Sequence, residues 1–153
     1  HDHDNETIIT IAKRTYIHFQ PVLMGYQYIY SYMVKGGANE ISSLAQDVID
    51  SATLGIQTEP DGPGQHMMRH ILEGAESLKN AKNVSERQEA FASISDALFP
   101  FFKLWPNQLM RSRLKICRCK SGHQWLQPDN CPTACPYSLN KSSNCFTIEE
   151  TIY

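Results

Sequence analysis

Phe91, Ile94, Leu98, Phe101 and Trp105 recur alternately three and four positions apart. On an α-helix such positions form one continuous stripe, whereas on a strand they scatter over both faces. A stripe of this kind is buried against other helices. Ser85 and Gln88 form an S-x-x-Q capping box at its start. Pro100 interrupts its last turns, and Pro106 ends it.

Three further helices precede this one. The first is expected from about Glu6 to Val34, with Ile8, Ile11, Ala12, Phe19, Val22 and Leu23 near one face and a kink at Pro21. "KGGAN" stops it. The second covers about Asn39 to Leu54, with Ile41, Leu44, Ala45, Val48, Ile49 and Ala52 as its buried stripe. The turn-rich "EPDGPGQ" separates it from a third, about Gly64 to Asn80, which buries Met67, Ile71, Ala75 and Leu78. The predicted fold is therefore all-α: an antiparallel four-helix bundle over residues 1–106. Residues 107–153 form a cysteine-rich, mostly irregular tail packed on the bundle within a single domain, with "LKICRCKSGHQWLQ" supplying a short strand or two.

The 153 residues suffice for one ordinary core. A net charge of -2 gives no electrostatic case for nucleic acid, and no apolar run is long enough for a membrane span. The chain begins at His1 rather than Met. Cleavage of a signal peptide would account for that and would make the protein periplasmic or secreted, where disulfides form.

Five cysteines, Cys117, Cys119, Cys131, Cys135 and Cys145, crowd the tail. Their spacing matches neither paired C-x-x-C zinc modules nor C-x-x-C-H haem attachment. Two main readings stay open, beside mixed cases that include a thioether or an intermolecular link. Two disulfides staple a tail too small to bury a core of its own, or three or four thiolates, with His123, hold a soft ion such as Cu(I) or Zn(II). An odd count leaves one thiol over in the first reading.

The histidines supply harder donors. In "GQHMMRHIL", His66 and His70 lie one helical turn apart on one face, a bidentate arrangement for Cu(II), Zn(II) or Ni(II). Met67 and Met68 are soft donors beside them, and His18 is a candidate third ligand. At the N-terminus, "HDH" places the His3 ring behind the amine and two backbone amides. These are four in-plane nitrogens suited to Cu(II) or Ni(II), and the His1 ring with its amine offers an alternative clamp. Solvated histidines and a frayed terminus are the plainer alternatives.

Two stretches carry a resemblance. "ERQEAFASISDALFPFF", through Arg87, Phe91, Ile94, Ser95 and Leu98, resembles the helix motif of the DUF3347-type bacterial periplasmic domains. Trp125-Leu126, Pro136-Tyr137 and Cys145 follow the order of that family's tail signature, with Cys117 or Cys119 as its first cysteine. Cys135 stands where the family has Asn before Pro-Tyr, and Ser142 and Ser143 replace a Met-Leu pair. Such domains occur alone or fused to adaptor subunits of heavy-metal efflux pumps. The resemblance implies a periplasmic helical domain linked to copper or silver handling and heavy-metal resistance, without catalysis.

The expected function is extracytoplasmic binding of a metal, copper first, by a carrier, buffer or efflux accessory protein. The metal residues are His1, His3, His66 and His70, and zinc and nickel are the other ions that the donors suit. The expected partners are that ion and a periplasmic efflux component or another subunit. One alternative is a disulfide-stapled interaction subunit docking through Tyr26, Tyr28, Tyr30 and Tyr32, and another is a haem-binding bundle. No nucleophile motif, phosphate loop or pair of acids argues for an enzyme.

Overall fold

The computed structural model describes residues 9, 11–102, 114–119, 122–128, 133–137 and 146–152. Among these residues there are four helices, α1 (Lys13–Lys35), α2 (Ala38–Thr58), α3 (Pro63–Asn80) and α4 (Val84–Phe102). Three strands follow: β1 (Leu114–Cys119), β2 (Gln124–Pro128) and β3 (Phe146–Ile152). The four-helix bundle is present, but the tail is less irregular than the sequence suggests. Its strands form one antiparallel sheet in the order β2-β1-β3.

Helix α1 starts at Lys13, not near Glu6, and its start is set from a distance. Ala12 is extended, and its N–H donates to Glu59 Oε1 at 2.9 Å. The Thr15 hydroxyl donates to the same oxygen at 2.8 Å. Glu59 lies just past α2, is only 8% exposed, and caps the positive end of α1. Replacing it with Ala removes a buried acceptor from two donors, so Glu59→Ala should cost about 1–3 kcal/mol in urea denaturation. Glu59→Gln keeps an acceptor oxygen and should recover much of that loss.

Two glycines end α1. Gly36 and Gly37 take φ of 95° and 151°, where a side chain would be strained. Helix α1 runs through Pro21. The carbonyl that loses its helical donor belongs to Ile17, a residue 71% exposed.

The α4 cap sits two residues earlier than Ser85 and Gln88. Asn83 Oδ1 accepts from the Glu86 N–H at 2.8 Å, and Glu86 Oε1 accepts from the Lys82 N–H at 2.8 Å. Asn83 thus caps α4 as an N-cap does, and Glu86 reaches back one residue further than in a capping box, to Lys82.

Helices pack in sequence, α1 on α2, α2 on α3 and α3 on α4. The α3–α4 crossing is close because Gly74 has no side chain: a Cβ there would lie 2.7 Å from Ile94 Cγ1 and 3.3 Å from the Ile94 backbone nitrogen. Aromatic rings join α1 to α4. Phe19 meets Phe101 with centroids 4.7 Å apart, and Tyr26 stacks on Phe91 at 4.7 Å and 11°.

The sheet closes one side of this core. Ile116, Cys117, Trp125 and Leu126 are buried with the helical residues in one hydrophobic cluster. The β1–β2 hairpin pairs Cys117 with Trp125, and its turn is tied by Gly122 N–H donating to Cys119 O at 2.9 Å. Hydrogen bonds fix the sheet to α1 and α4. Leu126 N–H donates to the Tyr26 hydroxyl at 3.0 Å. Tyr26 donates to Ser95 Oγ at 2.6 Å, because the Ser95 hydroxyl itself donates to Phe91 O at 2.9 Å. Tyr30 donates to Gln127 Oε1 at 2.9 Å or to Ala134 O at 2.7 Å. The indole N–H of Trp125 also reaches Gln127 Oε1, at 3.0 Å. These bonds satisfy polar groups that burial would otherwise penalise.

Tyr26 and Tyr30 are thus core residues, 1% and 8% exposed, and not docking tyrosines. Tyr32 is half-buried. Of the four, Tyr28 alone is exposed, at 55%.

Candidate functional site

Helix α3 brings His66 and His70 together on its solvent face. Their spacing of four stacks the rings one turn apart, and both residues are exposed. The rings meet edge to face with centroids 4.5 Å apart, and their Nε2 atoms are 3.1 Å apart. Without a metal, one ring donates a hydrogen bond to the other. Glu73 Oε1 lies 3.5 Å from His70 Nδ1. That carboxylate favours a proton on Nδ1, which leaves the lone pair on Nε2 facing His66.

The separation also fits one shared ion. Metal–imidazole bonds of about 2.0–2.1 Å set two nitrogens about 2.9 Å apart at a right angle and about 3.3 Å apart at a tetrahedral angle. The observed 3.1 Å falls between these limits. His66 and His70 would hold a copper, zinc or nickel ion through Nε2, with water or another donor completing its coordination. Among the described residues, no group of three or more His, Cys, Asp and Glu gathers for a metal. His18 therefore does not complete a three-ligand set with this pair.

The two methionines beside the histidines divide. Met68 is fully buried, its sulfur filling the space over Gly55, so it belongs to the core. Met67 is half-buried and lines a cleft of about 460 Å³ between α3 and α4, together with His70, Glu73 and Asp96. The sequence expectation that Met67 is the buried methionine is reversed. Partial burial raises the Asp96 carboxyl above its ordinary range, and nearby His123 pulls it back.

His1, His3, Cys131 and Cys145 lie outside the described residues. Cys117 and Cys119 sit two apart on β1 and are both buried, 0% and 8% exposed, as same-side positions on a strand allow. No disulfide joins Cys117, Cys119 and Cys135 to one another. The Cys117 sulfur is 4.0 Å from Gln127 Oε1, inside the buried polar cluster. His123 is exposed at the end of the β1–β2 hairpin, its ring 5.0 Å from that of Tyr137.

Sequence reasoning missed the polar centre formed by Tyr26, Ser95 and Tyr137, and beside it the bond from Tyr30 to Gln127. Its signal was present: Tyr26 and Tyr30 continue the helical stripe of Phe19, Val22 and Leu23. Among the described residues, no helix is long and apolar enough to cross a membrane. Compared with family models, with curated proteins and with solved structures, the chain finds no significant match in any of the three.

Proposed function

We propose that the protein is an extracytoplasmic copper-binding carrier, buffer or efflux accessory that takes its ion at His66 and His70. One observation carries this reading: two exposed imidazole Nε2 atoms held 3.1 Å apart, the spacing of two ligands on one ion. Met67 lines the adjoining cleft and offers a soft thioether, which favours copper over harder ions. Zinc and nickel suit the imidazoles alone. The resemblance of the α4 and tail motifs to DUF3347-type domains supports a periplasmic setting and an efflux partner. We read the helices as an antiparallel bundle because their connections, residues 36–37, 59–62 and 81–83, are too short for crossovers. In the same reading, cysteine cross-links staple the tail in that oxidising compartment.

Isothermal titration of Cu(II) and Zn(II) into the protein tests the proposal. Binding tighter than about 10 μM, roughly -7 kcal/mol, is expected. The His66→Ala/His70→Ala double variant should lose at least one equivalent, and Met67→Leu with both histidines kept should weaken copper more than zinc. A separate His3→Ala variant isolates the N-terminal donors. Unchanged binding in the double variant, or none tighter than about 10 μM in the parent, overturns the assignment.

A further inference from the structure

We infer that the groove between α1 and α2 is a docking site for a cationic amphipathic helix of a partner protein. The apolar side of the groove comes from α1. Ile17, Met24 and Tyr28 are 71%, 53% and 55% exposed, and Pro21 is exposed between them. These four positions are spaced four, three and four apart, so they make a single stripe along the helix. From Ile17 to Tyr28 the stripe runs about 17 Å, or three helical turns. That is more than the roughly 11 Å spanned by the anchors of a helix laid in a groove at i, i+3, i+4 and i+7, so the stripe can seat all of them.

Large exposed apolar side chains scattered singly need no explanation, but a contiguous stripe beside a cavity marks an interaction surface. Here the stripe borders a groove of about 540 Å³. The groove is shallow at its middle because Gly25 lets α2 come close: a Cβ on Gly25 would lie 2.7 Å from Val48 Cγ2. An occupant therefore rests on the stripe without inserting between the helices.

Charge selects the occupant. Asp47 and Asp50 are the charged residues of the α2 wall of the groove, with Leu44 and Ser51 beside them. Helix α2 carries Glu40, Asp47 and Asp50 and has no Lys, Arg or His anywhere along its length. A helix that buries leucine-like anchors on Ile17, Met24 and Tyr28 places its flanking residues against those carboxylates. Lys or Arg is favoured there, and Glu or Asp is rejected. A second copy of this chain that docks through this same face is a poor match. Its α2 brings only acids, and its α1 brings Lys13, Arg14 and Lys35 near the helix ends, away from Asp47 and Asp50.

Fluorescence anisotropy with two labelled peptides of about 14 residues tests the inference. One carries Leu at the i, i+3, i+4, i+7 anchors and Lys elsewhere, and its twin carries Glu in place of Lys. The Lys peptide should bind the full chain in the micromolar range, and the Glu twin at least about tenfold more weakly. Ile17→Ser/Met24→Ser/Tyr28→Ser changes only exposed positions, and circular dichroism verifies its fold. It should weaken the Lys peptide at least about tenfold, as Asp47→Asn/Asp50→Asn should. Equal binding of the twins overturns the inference. So does undiminished binding by the serine variant, which would mean diffuse charge attraction. A concentration-dependent dimer that the serine variant abolishes, without peptide binding, assigns the face to a second copy and also overturns it. None of these variants touches His66 or His70, so the outcome is independent of metal binding.

Discussion

Phe91→Ala should be the most damaging single substitution in the helical core, lowering stability by about 3–5 kcal/mol. Phe91 is fully buried. Its ring lies 4.7 Å from that of Tyr26, nearly parallel at 11°, and 6.0 Å from that of Tyr137. Truncation leaves a cavity where α4, α1 and the tail meet, and the surrounding rings are themselves held by hydrogen bonds, so they relax into it poorly. For a chain of this size each kcal/mol moves the melting temperature by about 2–4 °C, so a fall on the order of 10 °C is expected. The midpoint of denaturation should shift while its slope stays constant. Phe91→Leu keeps most of the volume and should cost about half as much. A loss under about 1.5 kcal/mol for Phe91→Ala would show that the site collapses freely and that the stack is not central.

The second large effect is alkaline. Burial pushes the Tyr26 hydroxyl above the ordinary tyrosine value, against the opposing effect of its Ser95 and Leu126 hydrogen bonds. Burial raises Tyr137 as well, with Tyr26 adding to the shift. The folded protein thus holds both rings neutral at a pH where the unfolded chain would ionise them. The stabilisation from a raised pKa is fully present below the unfolded value of 10.0. Above it the unfolded state binds fewer protons than the folded state, so stability falls as pH rises. Each tyrosine contributes a slope of about 1.4 kcal/mol per pH unit, and the two together about 3. Stability measured by urea at intervals above pH 10.0 should fall with that slope. Tyrosinate absorbance should show the Tyr26 and Tyr137 rings appearing only with unfolding. Tyr26→Phe and Tyr137→Phe should each flatten the alkaline slope by about half, even though each also lowers stability at neutral pH.

Much of the helical part was legible from residue spacing. Ile41, Ala45, Val48 and Ala52 fall on the buried side of α2 as the 3–4 pattern requires, and α3 spans nearly the stretch its stripe predicts. The ends were harder to read. Two overlapping cap patterns compete before α4, Asn83/Glu86 and Ser85/Gln88, and helical periodicity continues through both. The actual start follows Asn83, whose side chain takes the Glu86 N–H. The start of α1 was illegible for a different reason, since its acceptor comes from Glu59, beyond any local window. Strand β3 has the alternation Phe146, Ile148, Ile152 with β-branched Thr147 and Thr151, but the Pro, Asn and Ser content just before it masks that signal.

Site residues follow the same rule. The rings of His66 and His70 meet on one face of α3 because a spacing of four on one helix fixes that geometry by itself. The division of Met67 from Met68 depends on where α2 lies, because Gly55 receives the Met68 side chain. The docking tyrosines were misassigned because aromatic content alone does not distinguish Tyr28, outside the stripe, from Tyr26 and Tyr30, inside it.

The carboxylate that closes the first turn of α1 belongs to a residue 47 positions downstream of the amide it serves. During vectorial synthesis, the leading helix therefore emerges from the ribosome without its anchor and acquires it only after all of α2 has been translated. A nascent chain arrested before residue 59 should hold its N-terminal segment in a loosely wound, protease-sensitive form. Extending translation far enough to bring Glu59 out of the exit tunnel should protect it abruptly.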